Sequence, residues 1–502
     1  MLCTTLSRLL GFVRNHFINR IFGDASPADV VNGVFYYPNL LRKLFAEGAL
    51  SSAFIPTLSQ ALIEDPSGKR PKRIARNLIS FQLLVLIPLV LLGAIFADPL
   101  VRILLHFKEV WKIELAINLF RWAFSYILFI SISAAIMGAL NSRGVFIIPA
   151  ITPILFSACV ISSIIFLKTP FAVAIGIVAG GIAQILFQVP SYLKKGYDFK
   201  PDFKLNNADF KRILKQWLPV LISASIFAIN QAIAMTLASG LEDGSATAIH
   251  NAIIFFQLPL GIFANSIIIV LLPKMSRQAV RGDIDGLRES LSYGLRFMFL
   301  FLIPSSIALI LLGEDFIAIL FQYDKFTELG TQRAASVLTG LAIGLFCTGA
   351  LNFFHRFYYA RKDYKTPIII AAIILIVDVA LSLWLKETIL RVAGLAVANS
   401  IGFTVGLLCI VIITKRQLGS IHGKKLFICF LKVILIMIPF SGLLLLYKFI
   451  IKPYFGIQDF WIRIFLLGSV CIGCILIVMG LYLLLRIDII EDIIKRRLTK
   501  KE

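Results

Sequence analysis

The sequence predicts an all-α polytopic membrane protein of about 14 transmembrane helices, arranged as two parallel six-helix lobes plus two C-terminal helices. Three observations predict it: the composition, a run of apolar segments each long enough to cross a bilayer, and a duplication of the first six. Of the 502 residues, 59% are hydrophobic and only 16% charged, with a mean hydropathy of +0.88. A soluble chain carries roughly 25% charged residues. So much apolar surface has no soluble core to enter, and lipid must be its solvent.

A spanning helix needs about 20 mostly apolar residues. By that measure the spans fall at 4–22, 29–60, 77–105, 113–140, 145–168, 170–193, 216–240, 246–273, 289–312, 331–358, 366–385, 392–414, 426–450 and 460–485. The second and eighth are long enough to tilt or bend, with Pro38 and Pro259 as the expected causes. Arg8 and Arg14 interrupt the first apolar stretch, which is therefore not read as a signal peptide.

The loops set the expected orientation. Lys69 to Arg73, Lys194 to Lys215, Lys274 to Arg288, Arg356 to Lys365, Lys415 to Lys425 and Lys495 to Arg497 fall on one side. The other side holds Gly23 to Ala28, Glu242-Asp243 and Glu314 to Glu328, poor in cations or acidic. With an even number of spans, both termini are expected in the cytoplasm with the cationic loops. The net charge of +22 is then a positive-inside pattern, and no nucleic-acid partner is expected. The seven cysteines sit mostly in apolar stretches and give no disulfide framework, and Cys471 and Cys474 read as packing residues.

An internal repeat follows. Pro56 and Pro273 are 217 residues apart, and Ser59 and Ser276 keep that separation. Pro88 and Pro304 are 216 apart, each followed ten residues later by an acid, Asp98 or Glu314. Arg143 with Pro149 matches Arg361 with Pro367, both 218 apart. Several pairs in register argue for a duplicated six-helix unit, and an even count gives both copies one orientation. The expected organisation is an N-terminal lobe over 1–193, a cytoplasmic linker over 194–215, a second lobe over 216–414, and two extra helices with a basic tail over 415–502. Two lobes around a central cavity is transporter architecture.

Charges inside spans carry the functional signal, because a central Arg costs about 2.5–3.5 kcal/mol on insertion scales. The first two spans hold Arg8, Arg14, Arg20, Arg42 and Lys43 against only Asp29 and Glu47. Arg20 and Lys43 read as residues snorkelling to interfaces, whereas Arg14 and Arg42 lie away from span ends and read as anion ligands. Guanidinium binds phosphate through two parallel hydrogen bonds and keeps its proton. Glu47 stands one turn beyond Lys43, in range to pair with it.

These residues also carry a resemblance. Ser7-Arg8-Leu9-Leu10-Gly11-Phe12-Val13-Arg14 resembles the first-helix motif of the MurJ (MviN) lipid II flippase family, and Pro38-Asn39-Leu40-Leu41-Arg42 through Glu47-Gly48-Ala49 resembles its second. Gln257-Leu258-Pro259-Leu260-Gly261-Ile262-Phe263 fits as well. The resemblance covers nearly the whole chain. It implies the fold of the multidrug/oligosaccharidyl-lipid/polysaccharide exporter superfamily with two added helices. It also implies a transporter rather than an enzyme, moving undecaprenyl-diphosphate-linked peptidoglycan precursor across the bacterial inner membrane. Carried over by motif are Arg8, Arg14, Asp29 and Arg42 as substrate-binding positions, with Ser7, Asn39 and Glu47 in support. The chain departs from the family pattern at Asn15, where many members have Asp, and at Ile254, where a cation is usual; His250 stands one turn before Ile254. The seventh span has Asn230 and Gln231 but no acid, and the chain begins closer to the first motif than usual, leaving a start upstream open.

The mechanism expected is alternating access by rocking of two lobes. A head group of charge about −2 leaving a negative interior gains roughly 4–5 kcal/mol per 100 mV, from about 2.3 kcal/mol per charge. Membrane potential is thus an expected driving force, with a coupled monovalent cation as a further candidate. Asp378, with Ser382 one turn on, is read either as an ion-coupling carboxylate or as the partner of a cation elsewhere. Expected partners are lipid II, membrane lipids and, as an added scaffold role, the division or elongation machinery. The alternatives are a multidrug or cation exporter, or an exporter of another polyprenyl-linked oligosaccharide, in the same superfamily. A cation exporter calls for acids outnumbering bases in the cavity. A membrane enzyme calls for clustered acids or a His–Arg constellation, and histidines scattered at 16, 106, 250, 355 and 422 supply neither.

Overall fold

The structure is a computed structural model describing residues 2–24, 26–45, 49–451, 460–485, 487 and 489. All of its regular elements among the described residues are helical. In chain order they are α1 (Leu2–Phe22), α2 (Ser26–Phe45), α3 (Ala49–Glu64), α4 (Lys69–Ile95), α5 (Ala97–Leu104), α6 (Val110–Ser142), α7 (Ile147–Leu167), α8 (Pro170–Lys194) and α9 (Ala208–Ser239). Next come α10 (Ser245–Pro259), a π-helical segment (Leu260–Ala264), α11 (Asn265–Arg281), α12 (Ile284–Phe321), α13 (Glu328–Ile343), α14 (Leu345–Ala360), α15 (Lys365–Leu385) and α16 (Arg391–Leu418). The last are α17 (Gly423–Leu446), a second π-helical segment (Tyr447–Ile451) and α18 (Phe460–Leu484).

Each of the expected spans contains helix among the described residues, with breaks at Phe96 in the third and Gly344 in the tenth. Among the described residues, ten helices are long and apolar enough to cross a membrane, or eleven when the bent pair α13–α14 is taken as one span. The second expected span is divided between α2 and α3. The eighth continues past Pro259, whose ring removes a backbone donor, and the π-helical segment begins at the next residue.

The chain forms two compact units: residues 1–247 with 320–330, and residues 248–319 with 331–502. Helix α9, over the expected seventh span, packs against α2 and α3 and belongs to the first unit. In that unit α7 and α8 pack closely through Gly176 and Gly180, one turn apart. A Cβ on Gly176 would stand 2.7 Å from the Val160 Cα, and one on Gly180 would stand 2.8 Å from the Phe156 ring. Small residues at this spacing let helices approach in lipid, where packing replaces the hydrophobic drive. Gly23, at φ +86°, ends α1 in a backbone conformation that L-residues rarely adopt.

In the second unit α13 and α14 meet at a 50° bend. Gly344 sits at the break, its N–H donating to Ser400 Oγ at 3.1 Å while that hydroxyl donates to Gly340 O at 2.6 Å. A side chain inserted into the backbone ladder is a standard cause of a kink, and a Cβ on Gly344 would meet Ser400 at 2.6 Å. The two extra helices α17 and α18 share a core with α12, where Tyr482 OH donates to Leu300 O at 2.7 Å.

Candidate functional site

The first unit brings together Arg14, well inside α1, and Arg42, in the last turn of α2. Arg14 of α1 is half-buried, and its guanidinium lies over the Phe156 ring of α7, 5.5 Å from the centroid. Phe156 packs against Tyr126 of α6 at 5.3 Å between centroids, and its place is set by the missing side chain of Gly180. A cation over an aromatic face is attracted by the ring quadrupole, worth about 0.5–2 kcal/mol depending on desolvation. Arg42 of α2 is within electrostatic reach of Arg14, and its Nε donates to Asn39 Oδ1 at 2.9 Å. Among the described residues no carboxylate stands within salt-bridge distance of Arg14. Two guanidinium groups within electrostatic reach of each other, one over a ring and one bonded to an amide, suit an anion with two charged centres.

Ser7 lies half-buried in α1, and Asn39 is exposed. The backbone of Arg8 belongs to α1; its side chain, that of Lys43, and the whole of Glu47 lie outside the described residues.

Asp29 takes a different part. Its carboxylate is 3% exposed and accepts from the backbone N–H groups of Gly244 at 2.6 Å and Thr247 at 2.8 Å. It therefore caps the start of α10, where orphan N–H groups and the helix dipole favour negative charge. Asn32 Nδ2 donates to Thr247 Oγ1 at 3.2 Å, and Ser26 Oγ donates to Asp243 Oδ2 at 2.6 Å. Lys112, only 3% exposed, donates to Asp243 at 2.5 Å and also pairs with Glu109. Arg20 Nε meets Asp324 Oδ2 at 2.5 Å, and Asp24 accepts from Thr327. Within the first unit, then, the α1–α2 turn is bonded to the 243–247 turn and to the 320–330 segment. Arg20, read as an interfacial snorkelling residue, is part of these bonds.

Sequence reasoning missed Phe156, Tyr126 and this set of bonds. Arg14 and Phe156 are 142 residues apart, and no local pattern marks their meeting.

In the second unit Asp378 is buried on α15, accepting from Ser382 Oγ at 3.1 Å and Asn399 Nδ2 at 2.8 Å. Gly402 of α16 packs against it, with an added Cβ 3.3 Å from the Asp378 Cβ. Of the residues where the chain departs from the family pattern, His250 is half-buried and Asn230 buried. Gln231 Oε1 accepts from Tyr36 OH at 3.5 Å.

Comparison with known proteins decides the family. The family model "Lipid II flippase MurJ" matches residues 18–466. The chain belongs to the MurJ family. A "Probable lipid II flippase MurJ" of Borreliella burgdorferi is 32% identical over 442 residues, covering 88% of this chain and 87% of the relative. The "Lipid II flippase MurJ" of Burkholderia cenocepacia is 32% identical over 412 residues, covering 80% and 79%. A solved MurJ structure in an inward closed conformation is similar over 99% of both chains, at 26% identity and a TM-score of 0.77. An inward-facing multidrug resistance MATE transporter shares the fold alone, at 16% identity and a TM-score of 0.65 over 83% of this chain. The match to the MurJ family model begins at residue 18, so Arg8 and Arg14 lie ahead of it, and the case for Arg14 rests on its geometry.

Proposed function

We propose that this multi-pass membrane protein flips lipid II, the undecaprenyl-diphosphate-linked peptidoglycan precursor, from the cytoplasmic to the periplasmic leaflet of a bacterial inner membrane. The observation that carries the reading is Arg14, set over an aromatic ring beside Arg42. This pair is the receptor for the diphosphate, with Asn39 steadying Arg42 and Arg8, Ser7 and Glu47 completing the site. Both termini are cytoplasmic. The bonds among the α1–α2 turn, the 243–247 turn and the 320–330 segment then lie at the periplasmic end of the first unit. Asp29 supports the site as the cap on α10. The membrane potential drives the doubly negative head outward, and no bond in the substrate is made or broken. Asp378, with Ser382 and Asn399, is the position for a coupled monovalent cation. Contact with the division or elongation machinery is an additional role.

The reading is tested by depleting the protein and complementing with Arg14→Ala and Arg42→Ala. Loss of growth and of precursor export is expected; wild-type growth would remove both residues from transport. In reconstituted vesicles an imposed inside-negative potential should speed outward flipping, and equal rates with and without it would exclude the potential as driver. Replacing sodium and potassium with an impermeant organic cation tests the Asp378 position separately.

A further inference from the structure

The segment joining α8 to α9 is sorted by charge. Two of its acids, Asp198 and Asp209, bond to the bundle. Asp198 receives both arms of the Arg76 guanidinium at 2.5 Å and Lys72 Nζ at 2.9 Å. Asp209, at the start of α9, receives Arg70 through two hydrogen bonds at 2.7 and 2.9 Å. Asp202 offers its backbone, its carbonyl accepting from Asn77 Nδ2 at 2.8 Å and its N–H donating to Ser80 Oγ at 2.8 Å. The cations turn outward: Lys194, Lys195, Lys200, Lys204, Lys211 and Lys215 are all exposed. Between Lys200 and Lys204 stands Phe203, 57% exposed, a large apolar ring with no place in the core.

Depth completes the argument. The apolar part of α4 begins at Leu78, and the bond from Asp202 to Ser80 ties the segment alongside that apolar stretch. Phe203 follows Asp202 directly, so it stands beside the start of that apolar stretch, with Lys200 and Lys204 on either side. We infer that this segment is a built-in docking surface for anionic phospholipids of the leaflet it faces, with Phe203 inserted at the acyl boundary and Lys200 and Lys204 on the phosphates. Basic residues beside an interfacial aromatic draw anionic lipid, each cation contributing about 1 kcal/mol near such a surface. Turning Asp198 and Asp209 into the fold leaves Asp202, whose carboxylate accepts from the Lys204 N–H at 3.0 Å, as the acid among the outward lysines, so cations dominate the outer face.

The test uses the full chain in nanodiscs of phosphatidylcholine alone or with phosphatidylglycerol, read by hydrogen exchange of residues 196–206. Exchange should be slower in the phosphatidylglycerol discs, and the difference should shrink in high salt, where charges are screened. Lys200→Gln with Lys204→Gln should remove most of the difference, at about fivefold in local lipid affinity per lysine. Phe203→Ser should reduce it, and Phe203→Trp should retain it. Equal exchange in the two lipids would overturn the inference, and so would slowing of equal size throughout the protein, which marks a general bilayer effect. The measurement needs no substrate, so its outcome is independent of the flippase reading.

Discussion

Two arginines of the first unit, Arg14 and Arg76, show how the same side chain is put to different uses. Arg76 of α4 grips Asp198 with two hydrogen bonds at 2.5 Å and so fixes the α8–α9 connection to the bundle. Arg14 of α1 has a ring beneath it and a second guanidinium nearby, with no carboxylate in reach among the described residues. An ion pair with an acid of the same fold occupies the fork of a guanidinium; a ring occupies its face and leaves the edge donors for a ligand. The difference separates a structural cation from a receptive one, and composition alone does not reveal it.

The largest expected effect breaks or confirms that separation. Arg14→Ala should weaken binding of the diphosphate lipid about 10–100-fold, because a hydrogen bond to a charged group contributes about 1.5–3 kcal/mol. Arg14→Lys should recover only part of it, as an ammonium cannot bind in parallel-fork geometry. Arg76→Ala should leave the affinity unchanged. Comparable losses from Arg14→Ala and Arg76→Ala, measured on reconstituted protein, would mean the two arginines do the same work.

Asp29 sharpens the contrast from the acidic side. It shares α2 with Arg42 yet spends its carboxylate on two backbone N–H groups. Asp29→Ala should cost about 0.5–2 kcal/mol at the start of α10, the usual range for a lost N-cap. It should be read as faster exchange of the Gly244 and Thr247 amides. Asp29→Asn, which keeps one acceptor, should cost less. Should Asp29→Ala leave those amides unchanged while substrate affinity falls, the carboxylate acts on the ligand and the cap is incidental.

A smaller effect is expected at the other arginine. Arg76→Ala and Asp198→Ala should each speed exchange of residues 196–204 about fivefold, the equivalent of about 1 kcal/mol for a partly exposed pair. Arg14→Ala should not move it.

Much of the fold is legible in the sequence, because a span declares itself through some 20 apolar residues and a proline through its missing donor. The π-helical segment that begins just past Pro259 is of that kind, and so is the placing of Arg14 well inside α1. The 50° break at Gly344 is not of that kind. The wedge at that break is Ser400, 56 residues away, and no local pattern reports it. Asp29 was equally opaque: the family resemblance implies a substrate-binding position, and its partners in the fold are backbone groups 215 and 218 residues on. The linker read as plainly cationic because its acids are outnumbered. Only the fold shows that Asp198 and Asp209 are turned inward.

The last and smallest effect is a flat one. Hydrogen bonds from Arg76 hold the Asp198 carboxyl well below the usual carboxylate range, and those from Arg70 lower Asp209. A carboxyl depressed in the fold stabilises it at any pH above the unfolded value of about 3.9, and that stabilisation is lost only as pH falls from there through the folded value. Exchange of residues 196–204, corrected for intrinsic rates, should therefore stay level between pH 8 and 5 and begin to rise below about pH 4. A rise already between pH 7 and 5 would tie the linker to a group that gains its proton near neutrality. Arg76 would then lose its standing as the structural arginine of the pair.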